Sequence, residues 1–221
     1  MIGAGENAIM RTLFACLILT LAALGNPAIA QEHPVFTTKI EPPQLPMLFD
    51  MLKGGGFVIF FRHAGTPDYM EPEPIDFTSC ARQRNLNPRG REQAFRIGQA
   101  FRELGIPVGE VIASPFCRTM DTARLAFGRV EMAEEARDKD RRDKLVARAA
   151  AARADGTNLI VVGHGSAAGL IGEEFLREAE AAILRPLDDG KFQPVARMQV
   201  DQWEQMLPRN RIPPPGTPRA P

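Results

Sequence analysis

Charge of one sign is what this sequence most clearly lacks, because its 27 lysines and arginines balance its 27 aspartates and glutamates. A chain without a basic excess offers no electrostatic basis for binding nucleic acid or an anionic membrane surface. We therefore expect no nucleic-acid partner. Histidine and cysteine are also scarce, with three of each in 221 residues, so the positions at which they occur are informative.

Long apolar runs are scarce as well, and the longest, Leu13–Leu24, follows Arg11 near the N-terminus. This run is too short for a comfortable membrane span. Together with the small residues Ala28-Ile29-Ala30 behind it, it has the form of a secretory signal peptide cleaved after Ala30. We therefore predict a periplasmic or secreted protein with no stable membrane insertion after cleavage. An uncleaved N-terminal anchor is the alternative.

Cleavage after Ala30 would remove Cys16 and leave Cys80 and Cys117. An exported protein with two cysteines is expected to form one disulfide, because its compartment is oxidising. On the chain-entropy model such a bond would stabilise this fold by roughly 4 kcal/mol. Two separate free thiols are the alternative.

Apolar patterning divides the rest of the chain into alternating strands and helices. Continuous apolar runs predict buried strands, and Ser114-Pro115 predicts the N-cap and first turn of a helix. The predicted strands are 57–61, 108–113, 158–162, 181–184 and 192–200, and the predicted helices are 45–52, 88–104, 114–127, 131–155 and 167–176. This alternation predicts an α/β fold, a three-layer α/β/α sandwich with a mainly parallel central sheet, over residues 31–207. Residues 208–221 form a proline-rich tail that is predicted to be disordered.

Polar side chains follow three of the predicted strands. The first strand ends at Arg62-His63, the second at Ser114 with Arg118 shortly behind it, and the third at Gly163-His164. Ligands bind at the carboxyl ends of strands in such sheets. If the three strands are neighbours, two arginines and two histidines therefore converge on one crevice, with no carboxylate at any of these strand ends.

Such a crevice suits a phosphate dianion, because guanidinium groups bind phosphate oxygens through forked hydrogen bonds. A histidine is neutral often enough near pH 7 to attack phosphorus, and a second imidazole can donate a hydrogen bond. Each residue also has an ordinary structural interpretation: a histidine after a strand is commonly a hydrogen-bonding group, and an arginine at a helix start is commonly a surface charge. The joint occurrence favours the phosphate site.

Four segments together carry a family resemblance: "FFRHAGT", "LNPRGREQA", "ASPFCRTMDTA" and "VVGHG". In this order they resemble the histidine phosphatase superfamily, which has the phosphoglycerate mutase-like fold. The resemblance implies that His63 is the phosphorylated nucleophile, that Arg62 and Arg118 bind the phosphoryl group, and that His164 completes the pocket. It also implies that no metal or other cofactor is needed.

The chain further resembles the exported members of that family, through a "C…QRNL" segment at Cys80–Leu86 and an "EAAILRP" segment at Glu180–Pro186. In that setting a Cys80–Cys117 disulfide would join the long 67–87 loop to the helix that bears Arg118. The resemblance implies a small-molecule phosphate ester or a phosphorylated envelope component as the partner.

The proton donor of the family has no clear counterpart here. One branch has an acid after the arginine motif, but the acids of residues 131–143 show no recognisable register. Another branch has an acid directly after the second histidine, where Gly165 and Ser166 stand. Glu180, an acid within 131–143, or no dedicated acid at all therefore remain as alternatives, and Glu180 is equally well a surface or strand-edge charge.

The function that we predict is an exported phosphomonoesterase that works through a phosphohistidine intermediate on His63. The alternative of a different class is a non-catalytic phosphate- or phosphosugar-binding envelope protein of the same fold. A mutase and a structural envelope protein with vestigial motifs are further alternatives.

Overall fold

The computed structural model describes residues 44–171, 175–205 and 207. The predicted signal peptide and proline-rich tail lie outside these residues and stay predictions. The helices are α1 Leu45–Lys53, α2 Pro88–Leu104, α3 Cys117–Phe127, α4 Arg142–Ala154 and α5 Val200–Glu204; the strands are β1 Val58–Arg62, β2 Val108–Ala113, β3 Glu131–Met132, β4 Asn158–Gly163, β5 Ala181–Pro186 and β6 Phe192–Met198.

One six-stranded sheet with the order β3-β2-β4-β1-β5-β6 organises these elements. Strands β3, β2, β4 and β1 are parallel neighbours, and β5 pairs antiparallel with both β1 and β6. Two apolar clusters cover opposite faces of the sheet, one including residues of α1, α2, α3 and α5 and the other including residues of α4. The predicted α/β/α sandwich with a mainly parallel sheet is therefore confirmed.

The apolar run of β1 shows why its strand is buried on both faces. Ile59 and Phe61 pack in the cluster with α2, whereas Val58 and Phe60 pack in the cluster with α4. A strand that is covered on both sides by helices needs continuous rather than alternating apolar residues. This packing fixes β1 beside β4, with Arg62 opposite Gly163, and so sets where the residues after both strands lie.

Three predicted helix boundaries are wrong. Helix α3 begins at Cys117 with Phe116 as its N-cap, and Ser114 does not cap it. Residues 131–141 are not helical: they form β3 and two 3-10 turns, because this segment extends the edge of the sheet, where the Ala133 amide donates to the Ala113 carbonyl. Over 167–176, the described residues contain one 3-10 turn, Ala167–Gly169, in which Ala167 and Ala168 have positive φ.

The region around β6 differs from its prediction in one further respect. The strand ends at Met198, and Val200 begins the short helix α5. This helix buries Trp203, which packs against Phe49, Phe61 and Phe101.

Among the described residues, none of the helices has the length and apolar character to cross a membrane.

Close packing of α2 against α3 gives a first testable prediction. A Cβ on Gly98 would lie 1.9 Å from the carbonyl oxygen of Ala126, which is backbone and cannot rotate away. We expect Gly98→Ala to destabilise the protein by about 3 kcal/mol, at the upper end of overpacking effects, measured as a lower denaturation midpoint. Glu92→Ala, at an exposed position of the same helix, is the control. Equal midpoints for the two variants would contradict the prediction.

Candidate active site

His63 directly follows β1 and is buried, with 2% of its surface exposed. Its Nδ1 lies 2.9 Å from the Ala64 carbonyl oxygen. Because a carbonyl only accepts hydrogen bonds, we assign the ring proton to Nδ1, which leaves the Nε2 lone pair unprotonated. The local backbone is held by the Ala64 amide, which donates to the Thr122 hydroxyl of α3. His63 therefore presents a nitrogen nucleophile in a fixed orientation.

His164 directly follows β4, and its ring centroid lies 5.7 Å from that of His63. Its Nε2 is 3.2 Å from the Ser114 hydroxyl, which also contacts the Thr119 hydroxyl. The Thr119 proton is directed to the Ser114 and Phe116 carbonyls, so Ser114 donates to Thr119 and accepts from Nε2 of His164. Ser114, predicted as a helix cap, instead orients this imidazole and leaves its Nδ1 available to the crevice.

Both histidines are neutral at pH 7. The pKa of His63 is lowered to about 3, first by burial and then by the charge of Arg118, the presence of His164 and the charge of Arg62. The pKa of His164 is likewise lowered to about 3, by burial and by the positive charges of Arg118 and Arg137. A neutral imidazole keeps the lone pair that nucleophilic attack requires.

Two arginines lie at the same crevice, and each has hydrogen-bond donors without a partner. Arg62 donates from NH1 to the Leu176 carbonyl at 2.9 Å, and Arg118 donates from NH1 to Glu71 at 2.8 Å. In both side chains Nε is buried and has no hydrogen-bond partner. Buried donors without partners are rare in folded proteins, and a bound oxyanion would satisfy them. The sheet thus brings together all four predicted residues.

The predicted disulfide is present between Cys80 and Cys117, with a Cα–Cα distance of 5.8 Å. The Cys117 amide donates to the side chain of Gln83, which in turn donates to the Asp76 and Ser79 carbonyls. The disulfide and this network fasten the 67–87 loop to the first turn of α3. The loop consequently lies beside Arg118.

Comparison with known proteins agrees with this geometry. Residues 58–139 match the model of the histidine phosphatase superfamily (branch 1). The match includes Arg62, His63 and Arg118 and supports a phosphatase enzyme.

The chain is also similar to solved structures. The protein histidine phosphatase SixA complexed with tungstate has a TM-score of 0.50 at 16% identity, over 66% of this chain and 97% of that chain. Phosphoserine phosphatase from Entamoeba histolytica, in complex with 3-phosphoglyceric acid, has a TM-score of 0.49 at 14% identity, over 66% of this chain and 98% of that chain. No curated protein matches the chain.

Sequence reasoning missed Glu71, a carboxylate that the 67–87 loop brings to the pocket. One oxygen of Glu71 accepts from both Arg118 NH1, at 2.8 Å, and the Arg84 amide, at 3.0 Å. The residues at the strand ends do not indicate it, because Glu71 lies in a segment without helix or strand. The tether at Cys80 was the available signal that this loop reaches the site.

The proton-donor candidates from the sequence are engaged elsewhere in the fold. Glu180 is 3% exposed, and its carboxylate accepts from Arg197 and from the Arg177 amide. The acids of residues 131–143 include four that form ion pairs: Glu131 and Glu135 with Arg148, Glu134 with Arg137, and Asp138 with Arg141. Each of these five carboxylates is therefore held by a cationic side chain.

The lowered histidine pKa values predict an acid-sensitive fold. In the unfolded chain a histidine titrates at about 6.5, whereas in the folded protein both titrate at about 3. Between these values the unfolded state binds more protons, so stability falls as the pH drops from 6.5 towards 3. We expect a loss on the order of several kcal/mol across this window, measured by urea unfolding at successive pH values.

The control for this prediction is the double variant His63→Gln/His164→Gln, in which neither position titrates. Ion-paired carboxylates also lose their charge in acid and are common to both proteins, so the difference between the two pH profiles isolates the histidines. We expect a shallower decline in the double variant between pH 6.5 and pH 4. Parallel profiles would show that the histidines are not held neutral by the fold.

Proposed function

We propose that this protein is an exported phosphomonoesterase that hydrolyses a phosphate ester through a phosphohistidine on His63. The observation that carries the proposal is the pairing of a free His63 Nε2 with two buried, unpartnered arginine donors, on Arg62 and Arg118. A nucleophile surrounded by unsatisfied cationic donors is arranged for an electron-rich oxyanion. Phosphate is the oxyanion that the match to the histidine phosphatase model favours.

In the proposed reaction the His63 Nε2 lone pair attacks phosphorus while the bond from phosphorus to the ester oxygen breaks, and the ester oxygen takes up a proton and departs as the alcohol. Water then attacks the phosphohistidine and gives up a proton, the P–N bond breaks, and inorganic phosphate leaves. Arg62 and Arg118 donate hydrogen bonds to the oxygens of the transferring group, where charge builds up. Because His63 is held neutral, the first step needs no prior deprotonation.

The proposal includes export and a substrate outside the cytoplasm. It is supported by the signal-peptide pattern of residues 1–30 and by the Cys80–Cys117 disulfide, since disulfides persist in oxidising compartments. The substrate class is a small phosphate ester or a phosphorylated envelope component. N-terminal sequencing of protein recovered from the cell envelope should begin at Gln31, and an intact N-terminus on that protein would contradict cleavage.

The activity is tested with the purified protein from Gln31 onwards, in its oxidised form, and p-nitrophenyl phosphate. We expect steady release of p-nitrophenol that is inhibited by tungstate or vanadate, which occupy phosphate sites as oxyanions. If these oxyanions bind but no ester in a broad panel is hydrolysed, the protein is a phosphate-binding protein and the proposed enzyme is wrong.

A further inference from the structure

Beside Arg62 lies a cavity of about 420 Å³ that is separate from the packed core. Except for Gly65, every residue that lines it is polar or charged; the lining includes Arg62, Thr66, Asn87, Gln93, Glu178 and Gln199. Arg62 is shared between this cavity and the proposed phosphoryl site, so an ester bound to His63 and Arg62 would place its alcohol here. The polar lining suits a hydroxylated alkyl alcohol rather than an aromatic one.

Glu178 supplies the one carboxylate that lines this cavity among the described residues. The Thr66 hydroxyl donates to its Oε1 at 2.7 Å, which orients the group. Within the described part of the chain, no second hydrogen bond and no ion pair within 4 Å involves this side chain. Glu178 and Arg62 line the same cavity, and the negative charge of Glu178 counteracts the lowering of the Arg62 pKa by burial. Oε2 is therefore available to a bound molecule.

The other carboxylates near the crevice differ from Glu178 in this respect. Glu71 is paired with Arg118 and with the Arg84 amide, and Glu180 is paired with Arg197 and the Arg177 amide. Neither carboxylate can exchange a proton with a ligand unless a buried ion pair breaks. Glu178 combines a fixed orientation, an unpaired oxygen and access to the cavity beside the phosphoryl site.

We propose that Glu178 is the general acid that protonates the departing alcohol and the general base that then activates water, a role that rests on the proposed phosphatase reaction. In the first step the proton on Oε2 moves to the ester oxygen as its bond to phosphorus breaks, which leaves the alcohol and a carboxylate. In the second step the carboxylate takes a proton from water as the water oxygen attacks phosphorus. Release of phosphate restores both His63 and the protonated Glu178.

This role can be separated from a structural one by varying the leaving group. An alkoxide is a poor leaving group and needs a proton, whereas p-nitrophenolate leaves without one. General acid catalysis contributes about 10² to 10⁴-fold. In Glu178→Gln we therefore expect kcat/KM for glycerol phosphate to fall by about 100-fold or more, and kcat/KM for p-nitrophenyl phosphate to change by less than about 3-fold.

The second step gives an independent measurement on the same variant. Because kcat/KM reports only the steps through formation of the phosphohistidine, loss of the general base appears instead as slow turnover of that intermediate. Rapid mixing of Glu178→Gln with p-nitrophenyl phosphate should therefore give a burst of about one p-nitrophenol per protein before the slow steady state. The matched control is Glu92→Gln on α2, an exposed glutamate, which should behave as the parent protein does.

Each other outcome overturns the assignment. An equal fall of kcat/KM for both esters would give Glu178 a structural or binding role. No fall for either ester, or a parent protein that cleaves p-nitrophenyl phosphate but no alkyl ester, would mean that Glu178 does not protonate the alcohol. A parent protein that is inactive on p-nitrophenyl phosphate would overturn the phosphatase and the acid together, whereas an active parent establishes the phosphatase whatever the variant does.

Discussion

Replacing His63 by alanine removes phosphate ester hydrolysis, with an expected fall in kcat of about 10⁴-fold or more, as for other nucleophile deletions. His63 supplies the Nε2 lone pair that forms the bond to phosphorus, and alanine offers no nucleophile at this position. Residual activity would come from water bound in a site that keeps both arginines. The measurement is the release of p-nitrophenol by His63→Ala compared with the parent protein.

A trapping experiment identifies the intermediate in the same comparison. Parent protein quenched in base during turnover should carry a phosphoryl group that is lost in acid, and peptide mapping should place it on His63. The control is His33→Ala, the same substitution at the remaining histidine of the sequence, which should leave both activity and labelling unchanged. Unaltered hydrolysis by His63→Ala would remove the covalent mechanism.

Replacing Arg118 by methionine should lower both activity and stability, for separable reasons. The guanidinium stacks on Phe116 at 4.2 Å and pairs with Glu71, and the side chains of the pair are only 6% and 11% exposed. Its loss leaves Glu71 buried and unpaired, at a cost of about 3 kcal/mol. It also removes a donor to the phosphoryl oxygens, so kcat/KM should fall by about 10²- to 10³-fold. Thermal unfolding and p-nitrophenyl phosphate assays measure the two effects.

The double variant Arg118→Met/Glu71→Gln distinguishes a phosphate-binding arginine from a merely structural one. Neutralising Glu71 removes the unpaired charge, so most of the lost stability should return. Activity should stay low, because no guanidinium has been restored. Recovery of activity along with stability would show that Arg118 only supports the fold. Arg124→Met, at an exposed arginine of the same helix, is the matched control and should change neither property.

The sequence is sufficient to predict the location of those site residues whose positions the sheet determines. Arg62, His63 and His164 follow continuous apolar strands, and such strands pack side by side with their carboxyl ends aligned. The position of Arg118 follows for the same reason, since it lies in the first turn of the helix that follows β2. A periodic apolar pattern with proline and glycine at its ends also predicted α2 with the bounds that the structure has.

What the sequence did not predict depends on contacts between distant segments. Ser114 and Pro115 have the composition of a helix start, but the Ser114 hydroxyl is directed to Thr119 and His164 instead. Glu71 and Glu178 lie outside helices and strands, where neither spacing nor burial pattern indicates which way a side chain points. Glu178 and Glu180 are two residues apart, and only their contacts, Thr66 for one and Arg197 for the other, tell them apart.

Strands β1 and β4 are each hydrogen-bonded to neighbours on both edges, and both lead directly into a histidine of the crevice. The two histidines of the crevice therefore keep their positions in the fold when the sequence elsewhere changes. The cavity for the alcohol is lined instead from the start of α2, where Asn87 and Gln93 lie, and from connecting segments that hold Thr66 and Glu178. A descendant of this protein could acquire a different ester by altering that lining alone, while inheriting the transfer chemistry intact.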